Sequence, residues 1–174
     1  LAASAYNARR AECEAAVTAL KSKLPHIKAL RDVSVTDFQA QKALLPDVLR
    51  KRAEHVVYEN ARTLAAADAL EKGDFAAFGK LMNQSHDSLK NLYEVSCKEL
   101  DLLVELARQN PSVPGSRMTG GGFGGCTVNL VESDAVNGVC DKLTKEYLVA
   151  VGKEPRLIIS AAATSARVAK IDQS

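Results

Sequence analysis

Gly115-Ser116-Arg117-Met118-Thr119-Gly120-Gly121-Gly122-Phe123-Gly124-Gly125-Cys126-Thr127-Val128-Asn129-Leu130 is the stretch on which the reading of the fold turns. Five of the chain's ten glycines fall within the six positions 120–125. Ser116 to Thr119 on one side and Cys126 to Val131 on the other are short, and the second alternates β-formers with smaller or polar residues, so the pattern predicts strand, glycine loop, strand. Glycine tolerates φ > 0 and has no side chain to hold a ligand off, so such a loop lets backbone N–H groups converge on an anion such as phosphate. On composition alone, a turn that lets strands and a helix pack closely is an equal alternative. Gly120-x-Gly122-x-x-Gly125 spells the dinucleotide fingerprint, but that motif opens a helix and here a strand follows. A Walker-type loop would need Gly-Lys before Ser or Thr, and none is present.

Upstream of this stretch the pattern is helical. Tyr6, Cys13, Val17, Leu20 and Leu24 keep helical spacing over residues 4–23, and Pro25 stops the run. Thr36 with Gln39 suggests the capped start of a short helix that ends or restarts at Pro46. From Asp47 to Leu70 neither Gly nor Pro intervenes, and a stripe from Leu49 through Val57 to Leu64 and Ala67 predicts one long rod. Gly73 ends it and Asp74 caps the next helix, which carries Phe75, Phe78, Met82, Ser85 and Leu89. Ser96 with Glu99 reads as a capping box for a helix that Asn110-Pro111 closes near Gln109. Downstream of the glycine stretch, Ser133 or Asp134 caps a helix with Val139, Leu143 and Tyr147 on one face. Leu157–Ala161 and Ala166–Ile171 then read as strands. Four strands and about six helices make an α+β domain, its sheet covered on one face by the long helices. No repeat, linker or low-complexity tract divides residues 1–174, so one domain is expected.

The 174 residues are 47% apolar and 25% charged, ordinary values for a folded globular chain and not for a disordered one. The net charge of +2 comes with no basic run of five, which argues against nucleic acid and anionic membrane as partners. Cys13, Cys97, Cys126 and Cys140 stand at wide intervals without C-x-x-C pairing or His at ligand spacing, so they read as buried thiols. That usage, with no apolar run of membrane length, favours the cytoplasm. The opening at Leu1 rather than Met, straight into a helical stretch, suggests a piece of something longer.

Few residues besides the glycines suggest chemistry. Arg117, just ahead of the loop, could reach a phosphate, but pairing with a carboxylate is the more common fate of such a residue. Ser85-His86-Asp87-Ser88 holds the residue types of a nucleophilic triad, yet neighbours on a helix point about 100° apart and cannot line up a relay. His55 reads as a partly exposed surface or interface histidine, His26 follows a helix-ending Pro, and no metal site is expected. Arg50-Lys51-Arg52 reads as a solvated helix face. Tyr6 is either core or a hydroxyl offered to a ligand.

Several segments together resemble the galactokinases, members of the GHMP family of small-molecule kinases. Gly115 to Cys126, with its Ser-Arg-Met-Thr lead, is similar to the third motif of that family. Tyr93-Glu94-Val95-Ser96-Cys97-Lys98-Glu99-Leu100-Asp101, His55 to Asn60, Phe78 to His86 and Ala3 to Cys13 resemble the stretches around it, in the same order. The resemblance implies a ferredoxin-like α+β C-terminal domain of about four antiparallel strands. It also implies ATP-dependent phosphorylation of the anomeric hydroxyl of galactose, with Mg²⁺, in a cleft between two domains. Tyr6 matches the family tyrosine that hydrogen-bonds the sugar. Gly120, Gly121, Gly122, Phe123, Gly124 and Gly125 match the loop that borders the cleft and supports the phosphate-binding loop. The family's N-terminal sugar-binding motif, its Ser-rich phosphate loop and its catalytic Asp and Arg have no counterpart. The chain alone is therefore expected to hold no catalytic residue, to bind neither ATP nor Mg²⁺, and to be inactive. An exposed domain interface would then favour self-association. A sugar sensor of galactokinase type that binds without catalysis, or a kinase for N-acetylgalactosamine or arabinose, is the alternative.

Overall fold

Pro46 and Gly73 set the length of the longest element. The computed structural model describes residues 2–162, with side chains from Ser4 onward. Pro46 stands at the N-cap of α3 (Asp47–Glu71), where its missing N–H costs nothing. Gly73 ends the helix with φ +68°, a conformation that only glycine adopts without strain. The 25 residues of α3 make a rod of about 37 Å. Asp74 then caps α4 (Phe75–Ser88) by accepting the Ala77 N–H at 2.9 Å, which closes a helical hairpin.

Before this hairpin come α1 (Ala2–Leu20) and the short α2 (Val35–Gln41), which lie against the N-terminal half of α3. Their shared core holds Leu20, Ile27, Phe38, Ala53 and Val57. Leu20 and Phe38 are wholly enclosed, and truncating either to Ala would cost about 2–5 kcal/mol. The apolar stripe of α3 does not stay in this core along its whole length. Leu64 is 74% exposed, because α1 and the segment after it cover only the first turns of the rod.

After α4 the chain turns through a π-helical segment, Leu89–Tyr93, into Glu94 in the left-handed region at φ 56°. Then follow α5 (Lys98–Arg108), β1 (Gly115–Thr119), β2 (Cys126–Leu130) and α6 (Val136–Val151). The strands pair antiparallel with Gly115 opposite Leu130 and Thr119 opposite Cys126, so residues 120–125 are the loop of a hairpin. The glycine run continues into a strand, as expected. Leu100 of α5 packs on Met118 of β1, and α6 seals the other side of α5 through Val139 and Leu143.

Several local expectations are corrected. Ser34, not Thr36, caps α2, its Oγ accepting from the Asp37 N–H while donating to the Asp37 carboxylate. Cys97 is the N-cap of α5, since the Ser96 hydroxyl turns away to Asp101 at 2.6 Å. Ala135 stands at the N-cap of α6, without a side-chain cap. The sheet has two strands among the described residues, not four. Leu157–Ala161 forms no strand there, its Ile158 and Ile159 lying 78% and 64% exposed with no neighbouring strand to pair with, and Ala166–Ile171 lies outside the described residues. The long helices do not simply cover one face of the sheet. α4 runs along the edge of β1, α5 lies on the strands, and α3 packs mainly on α1 and α4. Cys126 is exposed and the other three thiols are only partly covered, because each sits on an element that faces solvent on one side.

Candidate functional site around the glycine hairpin

The outward edge of β1 is completed by side chains. Asn83 Oδ1 accepts the Ser116 N–H at 2.9 Å, and His86 Nδ1 accepts the Met118 N–H at 3.2 Å. Arg108 donates to Ser116 O at 3.2 Å, and Arg117 Nε donates to Met118 O at 3.0 Å. Every outward N–H and C=O of these two strand residues is thereby satisfied, as buried backbone requires. Asn83 and His86 reach the strand because α4 approaches it closely at Gly79. A Cβ there would sit 2.4 Å from the Pro114 carbonyl carbon.

The hairpin loop takes a shape that side chains resist. Gly120, Gly122, Gly124 and Gly125 all have positive φ, as does Phe123 between them at φ 60°. The loop has one anchored side and one open side. On the anchored side Val95 O accepts the Phe123 N–H at 2.6 Å, the Phe123 ring packs with Leu89, Val95 and Met118, and a Cβ on Gly122 would meet Val95 O at 2.3 Å. On the open side, a Cβ at Gly120, Gly121, Gly124 or Gly125 meets nothing within 4 Å. A large polar group can therefore approach this backbone without hindrance.

The turn that holds the loop is itself tied to α1 and α3. Arg52, 3% exposed, donates to Glu12 at 2.8 Å, to the Leu92 carbonyl, and to Glu94 at 2.7 Å. Burial alone would raise the Glu12 carboxyl, but hydrogen bonds from Arg52 and Arg9 outweigh it and hold the group below its ordinary range. Tyr93 stacks on His55 with ring centroids 4.5 Å apart, and its hydroxyl lies 3.8 Å from Cys13 Sγ. Burial first, then the Cys13 thiol and the nearby Tyr6, push the Tyr93 hydroxyl up to about 12. Tyr6 stands seven residues before Cys13, two turns along the same face of α1, and is 59% exposed. One turn, Tyr93 to Val95, therefore faces α1 with its first residue and holds the loop with its last.

Other candidates resolve as structural. Four consecutive residues of α4 take four different partners: Ser85 donates to Glu59, His86 accepts from β1, Asp87 pairs with Arg108, and Ser88 meets His55 Nδ1 at 2.9 Å. No relay forms. Arg117 pairs with Glu59 at 3.4 Å, where Arg62 also converges, beside a groove of about 430 Å³ between α3, α4 and the hairpin. His55 is not a surface residue. It is 5% exposed, and burial lowers it to about 4. Arg52 is not on a solvated face, because two carboxylates and a carbonyl compensate its burial. Among the described residues no group of three or more His, Cys, Asp and Glu could hold a metal ion. No helix among them is long and apolar enough to cross a membrane.

Residues 66–149, from the end of α3 to the end of α6, match the family described as GHMP kinases C terminal. The galactokinase of Roseiflexus sp. (strain RS-1) is 51% identical over 159 residues, which are 91% of the chain and 41% of that protein. The chain belongs to the galactokinase family. Galactokinase of Bos taurus is 48% identical over 147 residues, 84% of the chain and 36% of that protein. The crystal structure of Lactococcus lactis galactokinase complexed with galactose superposes with a TM-score of 0.83 at 42% identity, over 87% of the chain and 39% of that chain. The α+β architecture is thus that of a galactokinase C-terminal region, and the chain spans about 41% of the length of the galactokinases it matches.

Proposed function

We propose that the chain is the C-terminal portion of a cytoplasmic galactokinase. The reaction is transfer of the γ-phosphoryl group of ATP to the C1 hydroxyl of galactose. One observation carries the reading: the open face formed by Gly120, Gly121, Gly124 and Gly125, a backbone surface free of side chains on a hairpin anchored through Phe123, in a chain 51% identical to a galactokinase. The galactose complexed with the Lactococcus lactis galactokinase supports the sugar as substrate.

In this reading Tyr6, exposed on α1, offers its hydroxyl to the sugar, and the loop backs the site where the nucleotide phosphates lie. The open loop fits an ATP phosphate chain at its border. Mg²⁺ beside a nucleotide takes one or two carboxylates together with phosphate oxygens and waters, and in this reading those carboxylates belong to the rest of the enzyme. Phosphoryl transfer needs the attacking oxygen, the phosphorus and the metal held in line, with charge balanced across the transition state. A chain that provides one wall of the cleft does not achieve this alone. Residues 1–174 act as a single domain, and the complete domain carries a ferredoxin-like sheet of four strands. The two further strands join beside β2, since the outward edge of β1 is already occupied by α4 and Arg108.

The test joins this chain to the N-terminal region of the Roseiflexus galactokinase and measures galactose 1-phosphate formation. The fusion turns over galactose in preference to N-acetylgalactosamine and arabinose, whereas the 174-residue chain alone shows no galactose-dependent ATP consumption. A folded fusion without sugar phosphorylation, or turnover by the chain alone, overturns the reading.

A further inference from the structure

Arg52 stands where three elements meet. Its guanidinium reaches Glu12 on α1, and both the Leu92 carbonyl and the Glu94 carboxylate on the turn after α4. Arg9 shares Glu12, so the cluster balances two cations against two carboxylates. Glu94 sits in the left-handed region, and Leu89 O receives the Glu94 and Val95 N–H groups, which fixes the shape of the turn. The next carbonyl along, Val95 O, takes the Phe123 N–H of the glycine loop. Three hydrogen bonds in diverging directions suit the planar fork of Arg, and a Lys ammonium cannot reproduce them.

We propose that Arg52 is a positioning residue for the sugar-kinase reaction. It locks the turn Leu89–Glu94 onto the helix that carries Tyr6, and the turn, through Val95 O, sets the glycine loop relative to that tyrosine. The role rests on the functional assignment of Tyr6 and the loop. It differs from plain structural support, which would loosen the molecule as a whole.

Glu94→Gly separates the two. It removes one arm of the lock, and glycine at φ 56° offsets part of that loss by relieving backbone strain, so the amides of the distant core report any global change. Hydrogen exchange is read in the 174-residue chain for Glu94→Gly and Arg52→Lys. The Phe123 amide exchanges at least ~10-fold faster in both, while the amides of Leu20 and Val57 change less than about 2-fold. An unchanged Phe123 amide, or acceleration of all three together, overturns the proposal. Should Arg52→Lys fail to fold, Glu94→Gly decides. In the fused enzyme, Glu94→Gly raises the galactose KM about 5-fold with kcat changed less than 2-fold. An unmoved KM beside a loosened Phe123 also overturns it. A parent fusion with no galactose turnover sinks the functional reading instead and leaves the exchange result to judge the mechanical link.

Discussion

His86 Nδ1 accepts the Met118 N–H at 3.2 Å, so a helix side chain closes the edge of the strand that leads into the glycine loop. With the acceptor at Nδ1, the ring proton sits on Nε2, which faces Asp101 at 3.4 Å. His86→Leu leaves a buried N–H without a partner and costs about 1–3 kcal/mol. His86→Gln, which retains an acceptor, costs less. Urea denaturation of the two variants checks the ordering, and equal losses would assign the effect to packing.

Two buried histidines make stability depend on pH. Burial lowers His55 from an ordinary 6.5 to about 4, against the opposing pull of Glu59 and with help from Arg62, Arg117 and Arg52. His86 is lowered too, by burial and by Arg108. The folded chain binds fewer protons than the unfolded one between these values, so stability is complete above about pH 6.5 and falls as the pH drops toward 4. His55 alone accounts for at most ~3 kcal/mol over that window. Denaturation midpoints from pH 7.5 to 4.5 should fall, and His55→Phe, which keeps the stack on Tyr93, should flatten much of the slope. A midpoint that rises on acidification refutes this.

Glycines in two helices should respond in opposite directions. At Gly79 a methyl group would lie 2.4 Å from the Pro114 backbone, whereas at Gly138 in α6 it meets nothing within 4 Å. Gly79→Ala is expected to cost about 1–3 kcal/mol by forcing α4 off β1. Gly138→Ala is expected to add up to ~1 kcal/mol through helix propensity. Thermal unfolding of the pair, one melting lower and one higher than the parent, is the check.

Tyr6 is 59% exposed and so is not part of the core, and its role toward the sugar is a proposal that kinetics can test. In the fused enzyme, Tyr6→Phe should raise the galactose KM a few-fold, the loss of one hydrogen bond worth about 1 kcal/mol. Steady-state kinetics with kcat/KM unchanged would remove Tyr6 from the sugar site.

What the sequence revealed was local. Gly73, Asp74, Pro46 and the strand-loop-strand pattern around Gly120–Gly125 act within a few residues of themselves, and all are found where their chemistry places them. Arg52 was illegible because its two carboxylates lie 40 and 42 positions away. The burial of His55 is hidden for the same reason, its partners being Ser88 and Tyr93, 33 and 38 positions away. Ser34 caps α2 because its Oγ accepts the Asp37 N–H three residues on, and Thr36 already lies inside the helix. The π-helical turn has no periodicity of its own to announce it. Nothing in the sequence marks Glu94 as left-handed, because that conformation belongs to the turn that Leu89 O and Arg52 hold together.

The occupied border of β1 makes the hairpin a one-sided template. Whatever further chain the complete enzyme adds to its sheet has a single berth, alongside Cys126–Leu130. The loop thus hangs from a ribbon with two unlike rims: Asn83, His86, Arg108 and Arg117 close the one along β1, and the one along β2 meets no further strand among the described residues.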